Sequence, residues 1–94
     1  MASPISTAGS AENISSSTNV MARAGELVGI FVASASSTPT IAVYNSATTT
    51  TTSIIVNTFT PVGGTFYPMP FSFASGCYVA IGGTVDCTVS VRPN

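Results

Sequence analysis

The chain has 94 residues, 28 of them Ser or Thr, and its five charged residues give a formal net charge of −1. This length suits one domain with a small core, and so little charge favours a surface covered by partner proteins over a free monomer. With two Arg, no Lys and no His, the sequence offers neither a basic patch for nucleic acid nor a side chain that transfers protons near neutral pH, so we expect neither nucleic-acid binding nor catalysis.

Residues 1–18 are rich in Ser, Ala and Thr and show no helical periodicity. The apolar residues Ile5 and Ile14 are isolated in this polar stretch, with no apolar neighbours with which to build a core. We therefore interpret residues 1–18 as an extended N-terminal arm that orders only against a partner, and residues 19–94 as a single β domain.

The first strands of the domain are predicted between residues 18 and 44. Residues 18–22 are a weak candidate for the first of them. Residues 25–35 are apolar on both faces, which is typical of a strand that is covered on both sides. Residues 36–39 include Pro39 and break this strand, and residues 40–44 alternate between apolar and polar.

Two more strands are predicted at residues 54–59 and 65–73, with a turn at residues 61–64. The second of these contains Pro68 and Pro70. Proline cannot donate a hydrogen bond to a neighbouring strand, so we expect residues 65–73 to form an edge strand or a bulged strand.

The last two predicted strands, residues 77–81 and 85–92, are joined by a turn at residues 82–84. A three-residue turn there makes Cys77 and Cys87 diagonal neighbours roughly 7–8 Å apart, farther than disulfides usually reach. We expect both thiols to be free and buried, and two Cys without His make a poor metal site, so no metal or other cofactor is expected. In this register one apolar face carries Cys77, Val79, Ile81, Val85, Cys87 and Val89.

The pattern as a whole predicts a small antiparallel β-sandwich or barrel-like domain of six to seven short strands with an extended N-terminal arm. No apolar run approaches the ~18 residues that span a bilayer, so we expect no membrane insertion. The first residues lack the basic region and apolar stretch of a signal peptide, which favours synthesis and retention in a cytoplasm.

Four segments in succession resemble small virion structural proteins of tailed bacteriophages, of the kind that decorate or cement the capsid. They are GELVGIFV at residues 25–32, TIAVYNS at 40–46, TPVGGTFYPMPF at 60–71 and the stretch 76–93. The likeness is one of pattern and composition, covers roughly residues 20–93, and includes no catalytic motif. It implies a β domain on the capsid exterior whose partners are the major capsid protein and other copies of itself, in a virion assembled in the host bacterial cytoplasm.

The leading hypothesis is a capsid cement protein, which binds the outside of the head and bridges capsid subunits. The alternatives are a tail, neck or fibre component, present in fewer copies, and a carbohydrate-binding module built on Tyr44, Tyr67 and Tyr78. The residues predicted to contact partners lie in the arm and along the proline-containing strand. They are Ile5, Ile14, Phe66, Tyr67, Met69 and Phe71.

Overall fold

The computed structural model describes residues 10–93, which form six β-strands and, within that range, no helix. The strands are β1 (Ser10–Ile14), β2 (Thr18–Met21), β3 (Gly25–Asn45), β4 (Ile54–Phe59), β5 (Thr65–Phe73) and β6 (Cys77–Pro93). All strand pairs are antiparallel. The prediction of an all-β antiparallel domain with six to seven strands is confirmed.

Two long strands, β3 and β6, lie at the centre of a single sheet. They contain 21 and 17 residues and pair with each other from Gly25 opposite Pro93 to Asn45 opposite Cys77. The shorter strands β1 and β2 both pair with β6, while β4 and β5 both pair with β3. Each long strand is therefore flanked along its other side by two short strands in succession.

The sheet folds over itself, so that the two ends of each long strand lie close together. Met21 pairs with Cys77 at one end of β6, and Gly25 pairs with Pro93 at the other end. The chain from Met21 to Gly25 spans at most about 14 Å, whereas a straight strand of the length of β6 would span about 50 Å. Both long strands must therefore double back, which makes the sheet an open sandwich of two facing layers rather than a closed barrel.

We name the two layers by the strands that they contain. Layer A consists of β1, β5 and the parts of β3 and β6 that pair between Gly25–Pro93 and Val32–Cys87. Layer B consists of β2, β4 and the parts of β3 and β6 that pair between Ile41–Ile81 and Asn45–Cys77.

The bend between the layers lies where the sequence predicted two chain breaks. Here the register of β3 and β6 shifts between Ser36 and Thr40, opposite residues 82–84. Ser37 and Thr38 have φ values of 59° and 53°, and Gly83 has φ of 70°. The predicted break at 36–39 and hairpin turn at 82–84 are wrong. The two irregular segments lie opposite each other in the paired strands. They form a bulge, and both strands continue through it.

Apolar side chains fill the space between the layers. The alternation predicted for the last part of the chain is confirmed, because five of its six apolar residues are almost completely buried and the sixth, Ile81, packs against them. They lie along one continuous strand rather than on a hairpin. The core comprises Ile14, Leu27, Ile30, Val32, Ile41, Val43, Met69, Phe73, Cys77, Val79, Val85, Cys87, Val89 and Val91.

Part of the predicted N-terminal arm is a strand of the sheet. β1 pairs with β6 from Ser10 opposite Val91 to Ile14 opposite Cys87, and Ile14 is only 5% exposed. The interpretation of residues 10–18 as an arm without a core is wrong, because β6 offers β1 a pairing edge and Ile14 points into the sandwich. Ile14 is therefore a core residue and not a contact residue. Residues 1–9, which include Ile5, lie outside the described residues.

Candidate interaction surface

The four predicted contact residues in β5 divide into two exposed and two covered side chains. Phe66 and Phe71 are 53% and 45% exposed. Met69 is buried in the core, and Tyr67 is half-buried. Only Phe66 and Phe71 therefore have side-chain surface available to a large partner.

Tyr67 closes the edge of the sandwich where β4 and β5 meet. Its ring packs against Phe59 of layer B, with ring centroids 5.0 Å apart. Its hydroxyl accepts a hydrogen bond from the backbone N–H of Val62 at 2.9 Å. These contacts give Tyr67 a structural role, which the sequence pattern alone did not reveal.

β5 is an edge strand, as its prolines predicted. Among the described strands it pairs with β3 alone, and the register shifts between Leu27 and Gly29 of β3. Pro68 and Pro70 remove two hydrogen-bond donors from this strand. Another protein that binds at this edge would therefore contact mainly the side chains of β5 rather than a regular row of backbone donors.

The outer face of layer A is formed by alternate residues of its four strands. In β6, Cys87, Val89 and Val91 point into the core, so the residues between them point outward. Residues that pair directly across strands share a face, which extends the outer face to β1, β3 and β5. We use the name "outer face" for Ala11, Asn13, Glu26, Gly29, Phe31, Ser34, Phe66, Pro68, Ser72, Asp86, Thr88, Ser90 and Arg92.

Two phenylalanines stand on this outer face. Phe31 pairs directly with Phe66, and Phe31 is 43% exposed. The ring of Phe66 lies across Gly29, where a Cβ atom would come within 2.5 Å of the ring. The sequence predicted that the strand at residues 25–35 is covered on both faces, but the described chain covers only its inner face.

One ion pair lies at the end of the outer face. Nε of Arg92 donates to Oε1 of Glu26 at 2.9 Å, and both side chains are about 40% exposed. An exposed pair of this kind adds little to folding stability, about 0–1 kcal/mol. The pair borders a shallow depression of about 310 Å³ that is also lined by Leu27, Val28 and Pro70. Both signs of charge are therefore presented beside apolar surface.

The three tyrosines considered for carbohydrate binding do not share one platform. Tyr44 and Tyr78 are direct partners in layer B, with ring centroids 6.2 Å apart and planes tilted by 32°. Tyr67 belongs to layer A and packs against Phe59. Any stacking surface for a sugar would therefore consist of the two half-buried rings of layer B.

The two cysteines are free and completely buried, as the sequence predicted. Burial raises the pKa of Cys77 to about 12, and burial together with the nearby charge of Asp86 raises the pKa of Cys87 to about 11. The reactive form of a thiol is the thiolate, so both groups are inert near neutral pH. Their predicted diagonal pairing is wrong, because Cys77 is opposite Asn45 whereas Cys87 is opposite Val32.

Residues 10–93 hold no cluster of three or more His, Cys, Asp or Glu side chains suited to a metal ion. They also hold no helix long and apolar enough to cross a membrane. No protein-family model matches the chain, and comparisons with curated proteins and with solved structures find no significant match. The described surface exposes five large apolar side chains, namely Phe31, Ile54, Val62, Phe66 and Phe71.

Proposed function

We propose that this chain is a non-enzymatic structural protein that decorates the outside of a phage capsid and cements neighbouring capsid subunits. The observation that carries the proposal is a surface with many exposed apolar side chains and few charged ones. In the described chain, Phe31, Ile54, Val62, Phe66 and Phe71 are 43–60% exposed, and the sequence has only five charged residues with which to keep such surface apart from other proteins. The assignment to a capsid is supported by the sequence resemblance described above.

The proposed mechanism is stabilisation by binding. A protein that binds the assembled shell but not its separated subunits shifts the equilibrium towards the intact shell. Burying the exposed half of one phenylalanine contributes about 1–2 kcal/mol. Each contact is therefore modest, and firm attachment comes from many copies on a repeating lattice and from copies that bridge two subunits.

Phe71 is the β5 residue that we assign to the capsid contact. It is exposed on an edge strand, and Pro70 beside it lines the depression next to the ion pair. This part of β5 presents apolar surface without a continuous row of backbone donors. It is therefore suited to side-chain contacts with another protein.

The test begins with the copy number of this chain in purified virions, measured by quantitative mass spectrometry. A decoration protein should be present at a number similar to that of the capsid subunits, and should leave the particle on mild stripping with loss of shell stability. A few copies located on the tail would support a tail, neck or fibre component instead. Absence from virions would reject the proposal.

Rebinding to stripped particles tests the contact itself. Phe71→Ser should weaken rebinding at least several-fold, because it removes the exposed apolar group. Ile54→Ser is the matched control, since Ile54 is similarly exposed but lies in layer B. Deletion of residues 1–9 tests the remaining part of the predicted arm and leaves β1 intact. Equal rebinding by the Phe71 and Ile54 variants would contradict the assignment of Phe71.

A further inference from the structure

In its middle, around Phe31 and Phe66, the outer face of layer A has bulky side chains on one side and smaller ones on the other. Its midline runs between the paired strands β3 and β6. On the β3 and β5 side lie Phe31, Phe66 and Pro68. At the same levels on the β6 and β1 side lie Thr88, Asn13 and Ala11.

This asymmetry makes the face complementary in shape to a second copy of itself. A two-fold axis that lies along the midline, parallel to the strands, exchanges the two sides and keeps each level. It places Phe31 of one copy over Thr88 of the second copy. The ring of Phe66, which lies across Gly29, meets Ser90, the partner of Gly29 across the midline. Bulky side chains then meet small ones, as they do in packed sheets about 10 Å apart.

The charged residues of the outer face are also compatible with this two-fold axis. Glu26 and Arg92 are direct partners on opposite sides of the midline. The two-fold axis therefore brings Glu26 of each copy to Arg92 of the second copy, so the contact has two symmetric ion pairs. The third charge on the face, Asp86, is paired with Ser34 and meets that neutral residue across the axis. No like charges face each other in this arrangement.

We propose that the outer face of layer A binds the same face of a second copy in a two-fold dimer. A two-fold interface uses one self-complementary patch on both subunits, which is the property that this face has. Four strands of five to nine residues present on the order of 500 Å² of flat sheet per copy, which is less than the roughly 800 Å² per partner of a standard interface and corresponds to a small one. The dimer also covers the second face of β3. It goes beyond the proposed function and does not depend on the capsid assignment.

The first test is the oligomeric state of the full chain, measured by sedimentation equilibrium over a wide concentration range. We expect a dimer, and Phe66→Asp should weaken it at least tenfold, because it removes the ring that lies across Gly29 and places a charge within the contact. Ile54→Asp is the control, because Ile54 is exposed in layer B and should leave the dimer unchanged. Circular dichroism confirms that each variant is folded.

A charge exchange distinguishes this interface from general stickiness. Glu26→Arg alone or Arg92→Glu alone places like charges across the axis and should weaken the dimer several-fold. The double variant restores opposite charges both within and between copies, and should dimerise within about twofold of the original protein. Recovery in the double variant supports the interface.

Three results would overturn the inference. They are a monomer at every concentration, a dimer that Phe66→Asp leaves intact, and a dimer that Ile54→Asp disrupts equally. Capsid binding is measured in a separate experiment, as rebinding of the protein to stripped particles. A dimer that does not bind virions would reject the proposed function alone, whereas a monomer that binds them would reject the dimer alone.

Discussion

The ring of Phe66 lies against the backbone of Gly29, so close that a Cβ atom on Gly29 would sit 2.5 Å from the ring and 2.9 Å from the backbone oxygen of Tyr67. Gly29→Ala should therefore destabilise the fold by about 1–3 kcal/mol, the usual cost of overpacking. Urea unfolding measures this change. In a double-mutant cycle with Phe66→Ala, part of the loss should be recovered, because the ring no longer obstructs the methyl group. Full additivity of the two changes would contradict the contact.

Two glycines with similar backbone conformations provide a matched test of the bend. Gly83 and Gly64 have φ values of 70° and 78°. A Cβ atom on Gly83 would come within 2.5 Å of the backbone oxygen of Ser37, whereas nothing lies within 4 Å at Gly64. Gly64→Ala should cost about 1–2 kcal/mol for its left-handed conformation alone, and Gly83→Ala about 3 kcal/mol or more.

Thermal and chemical unfolding compare these two glycine variants directly. The difference between them isolates the close approach of β3 and β6 at the bend from the cost of positive φ. Equal losses of stability would mean that the two strands do not approach each other there as the structure shows.

The buried thiols should make stability depend on alkaline pH. In the unfolded chain both thiols ionise near pH 9.0, whereas in the folded protein their pKa values are raised to about 12 for Cys77 and about 11 for Cys87. Below pH 9 the thiols are protonated in both states and do not affect the pH dependence. Above it the unfolded state loses protons first, so the free energy of unfolding should fall between about pH 9 and 12.

Urea midpoints measured from pH 7 to 11 test this pH dependence. The double variant Cys77→Ala, Cys87→Ala is the control that lacks both thiols, and it should show a shallower decline. A thiol-specific reagent at pH 8 should react with the unfolded protein and hardly at all with the folded one. Identical pH profiles for the two proteins would contradict the assigned pKa shifts.

The loop between β3 and β4 should depend on one buried hydroxyl. Oγ of Ser46 accepts hydrogen bonds from the backbone N–H groups of Thr48 at 3.0 Å and Thr50 at 3.1 Å. Ser46→Ala should cost about 1–2 kcal/mol and increase hydrogen exchange at those two amides. Thr51→Ala is the control, because Thr51 is exposed. Unchanged exchange in Ser46→Ala would contradict this role.

The sequence predicted most of the strands because their signals are local. β4 and β5 occupy the predicted residues 54–59 and 65–73, and the prolines of β5 correctly marked an edge strand. The side chains that point inward from β6 were also predicted correctly. Alternation along one strand is sufficient to assign its faces, whichever strands pair with it.

The bend and β1 could not be predicted from the same signals. Gly82 and Gly83 show that the backbone departs from a regular strand, but a turn and a bulge produce the same local pattern. Which of them forms depends on residues 36–40, more than forty positions away in the sequence. β1 was missed for a similar reason. Its short polar sequence becomes a strand because β6 provides a pairing edge beside Ile14.

For the candidate surface, too, features that depend on local sequence could be predicted, whereas features that depend on pairing between distant strands could not. Exposed aromatic residues in β5 were predicted from its composition and prolines. The partnership of Phe31 with Phe66 and that of Glu26 with Arg92 depend on register between strands distant in sequence. The matching of bulky and small side chains across the midline therefore becomes visible only in the folded sheet.

The position of β6 has a consequence for biosynthesis. This strand is the direct partner of β1, β2 and β3, yet the ribosome makes its 17 residues after all three. Until β6 emerges, the earlier strands lack the neighbour that completes the sandwich, and their apolar residues stay accessible to water and to chaperones. The domain therefore acquires its structure after translation of this segment, and a premature stop before Cys77 should yield a chain that is degraded or aggregates instead of a smaller folded domain.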